Sequence, residues 1–282
     1  MSQRYDFVRE EVILQELSAH GRVTVNDLAR RLAVSTVTIR KDLDGLEQRS
    51  LLRRVRGGAV VRSTGDEGAF CERLRQDAGL KRELAQHAAV LVEDGDVLAI
   101  DSSTTCHYLA RELLDRHDLV VVTNGMQTAM LLMEHSDATV IVTGGMLRRA
   151  AGSMVGAFTD ALRGRGRIKK GFFGVTALST ELGLLEISSE EAEVKKALAA
   201  SCDRIYGLFT ASKIRGFGLY PFAGRERITA LITDQQADAG FVSAWQAAGV
   251  AVTRVEGTAA VLANGRRAAD IINADQEETE PL

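Results

Sequence analysis

Apolar residues over the first sixty positions recur with a helical period in three successive segments. Val8, Ile13, Leu14 and Leu17 mark an amphipathic helix that ends near His20-Gly21. Thr24 followed by Asp27 reads as an N-cap with an acidic first turn, opening a second helix through Leu32. After a turn at Ala33-Val34, Ser35 caps a third helix whose Ile39, Leu43 and Leu46 fall at i, i+4 and i+7, a single core-facing stripe. Two strand-like runs follow, joined by Gly57-Gly58, a pair suited to a hairpin turn that needs positive φ.

The polar positions of this segment give it a chemistry. Thr36, Thr38, Arg40 and Lys41 lie off the apolar stripe near the start of the third helix, where a recognition helix meets base edges and phosphates. Thr38 and Arg40 are about 200° apart at the helical period, so only one of them points straight into a groove. Arg53, Arg54 and Arg56 form a donor row on the hairpin, suited to a phosphate backbone. Three helices and a basic hairpin make a winged helix-turn-helix, with Ser35, Thr36, Thr38, Arg40, Lys41, Arg53, Arg54 and Arg56 as its DNA-contacting set.

The pattern then changes period. Val61 to Glu72 is polar and glycine-rich, a linker. Beyond it come short apolar runs that read as strands: Val97–Ile100, Leu119–Thr123, Thr139–Thr143, Gly171–Thr176, Ile205–Phe209 and Ala230–Thr233. Helical patterns separate most of them, at Leu80–Val92, Thr105–Asp115, Met126–His135 and Ser189–Ser201. This alternation predicts an α/β domain with a mainly parallel sheet covered on both faces. The expected organisation is a winged helix-turn-helix at 1–61, a linker at 62–72, an α/β sensor domain at 73–260 and a partly disordered acidic tail at 261–282, most acidic over Asn273–Leu282.

Charge sharpens the division. The 282-residue chain has a formal net charge of −3, yet Met1–Arg62 holds twelve Lys/Arg against eight Asp/Glu, so the head is +4 and the remainder −7. Only the head suits nucleic acid. No apolar run is long enough to span a membrane, and the N-terminus lacks a signal-peptide core. Cys71, Cys106 and Cys202 are odd in number and widely spaced, which fits reduced thiols in a cytoplasmic protein. His107 beside Cys106 reads as a packed or solvated histidine, and neither a metal nor a cofactor is called for.

In such a sheet, ligands bind at the carboxyl ends of the strands. Asp101-Ser102-Ser103-Thr104-Thr105 follows the first strand and opens a helix, so its N–H groups and hydroxyls suit an anion. Thr123-Asn124-Gly125 and Thr143-Gly144-Gly145 end the next two strands. Lys195 and Lys213 are the candidate cations. The expected effector site is thus Asp101, Ser102, Ser103, Thr104, Thr105, Asn124, Gly144, Gly145, Lys195 and Lys213, with a phosphate- or carboxylate-bearing small molecule as ligand. Any one of these segments alone reads as an ordinary N-cap or a solvated lysine.

These residues resemble the DeoR-type bacterial transcriptional regulators. Thr38-Ile-Arg-Lys-Asp-Leu43, Leu46-Glu47, Leu51-Leu-Arg-Arg-Val55 and Gly57-Gly-Ala59 follow that family's head in order and spacing, with Ser50 in place of a turn glycine and Arg56 in place of a common histidine. Asp101-Ser-Ser-Thr-Thr105, Thr123-Asn124, Gly144-Gly145, Phe172-Phe-Gly-Val-Thr-Ala177, Glu191-Ala-Glu-Val-Lys195 and Thr210-Ala-Ser-Lys213 resemble its sensor motifs. Here Ser103 replaces a glycine, and Thr176 and Thr210 replace aspartates, which is expected to alter hydroxyl recognition or the charge around the lysines. The resemblance implies a sensor of ribose-5-phosphate-isomerase-type fold that responds to phosphorylated sugars or related metabolites.

The competing reading is an isomerase on the same fold. Aldose–ketose isomerisation needs a general base and a group that polarises the carbonyl. Gly174-Val-Thr-Ala-Leu-Ser179 lacks the carboxylate, and Glu191 has no visible partner to complete the set. A purely architectural DNA protein leaves the large acidic domain without a role. The sequence therefore reads as a non-enzymatic, homo-oligomeric regulator, a repressor of a carbohydrate or related catabolic operon, that binds double-stranded operator DNA and is released by a small anionic metabolite.

Overall fold

The computed structural model of the chain describes residues 9–10, 12–14, 16–17, 20, 22–48, 52–60, 70–156 and 167–256. The sequence expectations for Val8, Gly21, Ser50, most of the linker and the acidic tail lie outside these. Contacts divide the chain into two units, Met1–Ala69 and Phe70–Leu282.

In the first unit, Ile13, Leu14 and Leu17 are buried on a helical segment, as the apolar period requires. Strand β1 (Arg22–Thr24) leads directly into helix α1 (Val25–Arg31), whose N-cap Thr24 accepts from the Asp27 N–H at 3.1 Å. Helix α2 (Thr36–Gln48) opens with the Ser35 hydroxyl accepting from the Thr38 N–H at 3.0 Å. Ile39, Leu43 and Leu46 are fully buried along one stripe. Strands β2 (Arg53–Val55) and β3 (Gly58–Val60) form the wing, and β1 adds to the free side of β3 in the order β1-β3-β2.

The wing corrects one expectation. The turn residues are Arg56 and Gly57, and only Gly57 has positive φ, at +82°. Gly58 sits inside β3 for a different reason. A Cβ there would lie 2.0 Å from the Val23 carbonyl oxygen, so glycine is what allows β1 to pair.

The second unit begins with helix α3 (Phe70–Arg75), so Phe70, Cys71 and Glu72 are helical where the sequence placed linker. Phe70 is apolar and buried, which draws these residues onto the domain. Helix α4 (Ala78–Ala89), strand β4 (Val97–Ile100), helix α5 (Thr104–Glu112), strand β5 (Val120–Thr123), helix α6 (Met126–His135) and strand β6 (Thr139–Val142) alternate as the apolar runs predict. A short hairpin, β7 (Met146–Arg148) and β8 (Ser153–Val155), follows. Then come β9 (Ile168–Gly174), β10 (Ala177–Ser179), β11 (Gly183–Glu186), helix α7 (Ser189–Ala200) and β12 (Cys202–Leu208). Strands β13 (Tyr220–Ala223) and β14 (Ala230–Asp234), helix α8 (Ala239–Ala247) and β15 (Ala251–Val255) complete the described chain.

Seven of these strands form one parallel sheet in the order β15-β14-β12-β9-β4-β5-β6. One face carries a cluster that includes Leu98, Ile100, Phe172, Tyr206 and Leu208 under α4 and α5. The other carries Ala99, Val122, Phe173, Leu231 and Trp245. A small antiparallel sheet, β10-β11-β13, lies apart from the large one, and neither it nor the β7–β8 hairpin was marked by the sequence pattern.

Candidate nucleic-acid interface and effector site

The head presents part of its expected DNA-binding set to solvent. Arg40 and Lys41 are exposed, as is Arg56 in the wing turn, while Thr36 and Thr38 are half-buried. Ser35 is exposed but is already the cap of α2, sharing a 2.9 Å hydroxyl–hydroxyl bond with Thr38. The side chain of Arg53 lies outside the described residues. Arg54 is placed differently from the other cations. Its Nε lies 3.0 Å from Asp44, its Nη1 donates to the Gly58 carbonyl at 3.2 Å, and its own N–H donates to Glu47 at 2.7 Å. These contacts tie the wing to α2, so Arg54 braces the reading head. Asp42 does the same on the other side: it is buried and takes two bonds from Arg9, at 2.5 and 2.8 Å. The solvent side of α2 leaves Val37 beside these cations, 69% exposed.

In the second unit the topology brings the strand-end segments together, and their chemistry turns inward. Asp101 is fully buried. It accepts from the N–H groups of Ser103 and Gly174, both at 2.9 Å, and lies 2.8 Å from Lys195 Nζ. Lys195 also donates to the Gly174 carbonyl at 2.8 Å and pairs with Glu186. Burial alone would push the Lys195 pKa down, but Asp101 and Glu186 outweigh it and hold the ammonium well above the usual lysine range. This corrects the sequence expectation for both residues. They form an internal ion set joining the ends of β4 and β9 to β11 and α7, and do not face a ligand as a carboxylate and a free cation.

Thr176 and Thr210, which stand where the sensor motifs have aspartates, both lie near carboxylates from other strands. Thr176 donates its hydroxyl to Glu186 of the neighbouring strand β11 at 2.5 Å. Asp234, at the end of β14, accepts from the Ala211 N–H at 2.7 Å, the turn-capping position that Thr210 leaves empty. Lys195 itself is paired with two carboxylates, Asp101 and Glu186. Ser103 is also accommodated: it caps α5 through Cys106 N–H at 3.2 Å, and Gly174 leaves room for it, since a Cβ at 174 would lie 2.4 Å from the serine.

A second network centres on Glu191, buried in the first turn of α7. It takes bonds from Arg148 at 2.7 Å, from the Ser153 hydroxyl, from Asn124 at 3.3 Å and from Ser102 at 3.5 Å. Asn124 Oδ1 in turn accepts from the Ser102 N–H at 3.0 Å. Ser102, Thr104, Thr105 and Asn124 are thus gathered at the start of α5 but largely buried. Gly144 is half-buried, and Gly145, at φ +109°, is required by the hairpin, because a Cβ there would meet the Val155 carbonyl oxygen at 2.3 Å. His107 packs edge-on against Phe70, and burial lowers its pKa to about 4.

Of the expected cations only Lys213 is exposed, in the single turn Ala211–Lys213 that follows β12. Near it is a lysine the sequence reading passed over. Lys81, in the first turn of α4, is buried and donates to the Arg73 and Gln76 carbonyls at 2.5 and 2.7 Å. Burial first, and the charge of Lys213 second, lower its pKa to about 8. The charge of Lys213, which follows the carboxyl end of β12, reaches Lys81, so Lys81 lies toward that end of the sheet. The available signal was position: a lysine three residues into a helix that leads down to the first sheet strand.

Comparison with known proteins fits both halves. Residues 9–64 match the DeoR-like helix-turn-helix domain, and residues 76–235 match the DeoR C terminal sensor domain. A putative aga operon transcriptional repressor of Escherichia coli O157:H7 is 31% identical over 88% of this chain and 93% of its own length. The L-fucose operon activator of Haemophilus influenzae is 31% identical over 80% of this chain and 91% of its own. Ribose 5-phosphate isomerase A from Methanocaldococcus jannaschii has 16% identity and a TM-score of 0.38 over 49% of this chain and 55% of its own. A DNA-binding head joined to this sensor domain, both matched along most of their length, places the chain in the DeoR family of transcriptional regulators.

Proposed function

We propose that the chain is a cytoplasmic, homo-oligomeric repressor of a carbohydrate-related operon, released from its operator by a phosphorylated or otherwise anionic metabolite. Residues 1–61 read the operator, with Thr36, Thr38, Arg40 and Lys41 on α2 and Arg53 and Arg56 on the wing. Residues 73–260 bind the effector, and the stretch between couples them. The observation that carries the effector part is the placement of exposed Lys213, just after β12, and of the N-terminus of α5, just after β4, at the carboxyl ends of strands of one parallel sheet, where α5 adds N–H donors. An anion suits that combination of a cation and N–H groups. Ser102, Thr104 and Thr105 supply the hydroxyls, and Asp101, Lys195 and Glu191 hold the loops.

The reading as a regulator rather than an enzyme rests on the family and on the surroundings of one residue. Glu191, the candidate base, is paired with Arg148 and accepts from Ser153, Asn124 and Ser102 as well, which supports a structural role for it.

Calorimetric titration of the full chain with phosphorylated and non-phosphorylated sugars tests the proposal, alongside operator retardation in a gel. A phosphorylated ligand should bind and release the DNA, and Lys213→Ala should lose the response with operator affinity intact. Binding of uncharged ligands only, with Lys213→Ala responding normally, overturns the anion site.

A further inference from the structure

We infer that β6 is the strand through which two copies of this chain pair, edge to edge and antiparallel about a two-fold axis, extending the parallel sheet across the dimer. The inference deepens the proposed oligomeric regulator by naming the surface that holds it together.

β6 is an outer strand of the seven-stranded sheet. Its residues Thr139-Val140-Ile141-Val142 carry no charge and no proline, and all but Val140 are exposed. Edges of this kind invite pairing, and proteins that keep them single usually blunt them with lysine, proline or a bulge. The other outer strand, β15, does carry a charge, the exposed Arg254. The row of positions Gly171, Ala99 and Val122, buried on β9, β4 and β5, continues in register to Ile141, whose side chain meets solvent. Met130 and Met133 on the neighbouring helix α6, and Met146 and Leu147 just beyond the strand, are exposed as well.

The backbone sets the register. The N–H groups of Thr139 and Thr143 donate inward to Leu119 and Thr123 of the adjoining chain segment, so by alternation Val140 and Val142 turn their N–H and C=O outward. An antiparallel partner centred on Ile141 lets Val140 exchange both bonds with the second copy's Val142, and the reverse. The two Ile141 residues then face one another as a non-hydrogen-bonded pair, with Cα atoms about 4.5 Å apart. Charge favours the same chain as occupant. Asp137 is already paired with His117 at 3.0 Å, but exposed Glu134 precedes the strand and exposed Arg149 follows it, so antiparallel pairing sets each copy's Glu134 end toward the other's Arg149 end. A two-fold contact must be self-complementary, and this one is.

The test uses the full chain with its exposed Cys71 changed to serine. Sedimentation velocity at micromolar concentration should give a dimer or a multiple of it. Ile141→Lys should halve the mass while leaving the circular-dichroism spectrum of the folded chain unchanged, since the site is on the surface. Ile141→Cys should form a reducible cross-link of twice the chain mass under oxidised glutathione, whereas Thr253→Cys on β15 should give only the background of the parent. A wild-type monomer overturns both this inference and the oligomeric regulator. An oligomer whose mass is untouched by Ile141→Lys, or cross-linking no greater at 141 than at 253, overturns β6 alone and assigns the edge another occupant.

Discussion

In the head, Arg40, Lys41 and Arg56 stand in solvent, whereas in the sensor Arg148, Lys170 and Lys195 are buried and each ends on a carboxylate. The difference follows from what each unit must meet. DNA brings its own dense negative charge, so the protein can leave cations unpaired in water at little cost. A metabolite brings one or two charges, and a loop that must hold hydroxyls in a fixed array is braced by ion pairs of its own. Exposed basic residues of the head therefore read as contacts, and basic residues tied to carboxylates, most of those named in the sensor and Arg9 and Arg54 in the head, read first as struts. Lys213 and Lys81 are the exceptions that point to a ligand.

The largest effect that would break this contrast is at Lys195. Lys195→Met leaves Asp101 and Glu186 buried without their cation, and removing one partner of such a set costs about 3–5 kcal/mol. Calorimetry should show the sensor unit melting far lower with the head's operator affinity intact. An unshifted melt with loss of effector response alone would make Lys195 a ligand after all.

Next comes Gly58→Val, which forces a side chain against the Val23 carbonyl and should destabilise the head by about 1–3 kcal/mol or more. Circular dichroism melting of the isolated mutation in the full chain should show the head transition moving and the sensor transition staying.

Smaller in energy but more specific is Arg40→Ala. If Arg40 reads a guanine edge, the variant should lose about 1–3 kcal/mol of discrimination between operator and unrelated DNA while non-specific binding holds. Arg54→Ala should instead lower thermal stability, through the lost tie to Asp44, as well as weakening binding to every sequence. Loss of specific and non-specific affinity in equal measure at Arg40 would count it as a phosphate contact.

The smallest expected effect is in pH. Lys81 titrates at about 8 in the fold, below its ordinary 10.5. A bound anion favours its charged form and raises that value. Affinity for inorganic phosphate should therefore be level with respect to this lysine below pH 7 and fall as pH rises through 8, by up to about tenfold per pH unit. Lys81→Arg should flatten the decline, and an identical decline in that variant would remove Lys81 from the site.

Much of the head was legible in its sequence because its signals are local. Caps lie within three residues of what they cap, and Ile39, Leu43 and Leu46 make their stripe within two turns. The parallel strands were legible as well, since burial on both faces leaves near-continuous apolar runs. Three-residue strands such as β7, β8 and β10 are too short to show a period, and α8, Ala239–Ala247, is mostly small and apolar, so it shows no polar face. The site partners were the least legible. Lys195 sits four residues after Glu191 and so resembles a helix-surface pair, but its partners come from β11 and the end of β4, and those of Glu191 from β8 and the hairpin's Arg148. Long-range pairing of buried charges leaves no mark on a linear pattern.

Strand β9 lies between β4 and β12, and this has a consequence for how the protein is made. On the ribosome β4 emerges about 70 residues before β9, its inner neighbour, and at roughly 5–20 residues per second that interval lasts about 4–14 seconds. For that time β4, β5 and β6 form at most a three-stranded fragment whose β4 edge is bare. The strand that joins the two halves of the sheet is thus made after one half is out and before the other begins, so the sensor closes from its middle.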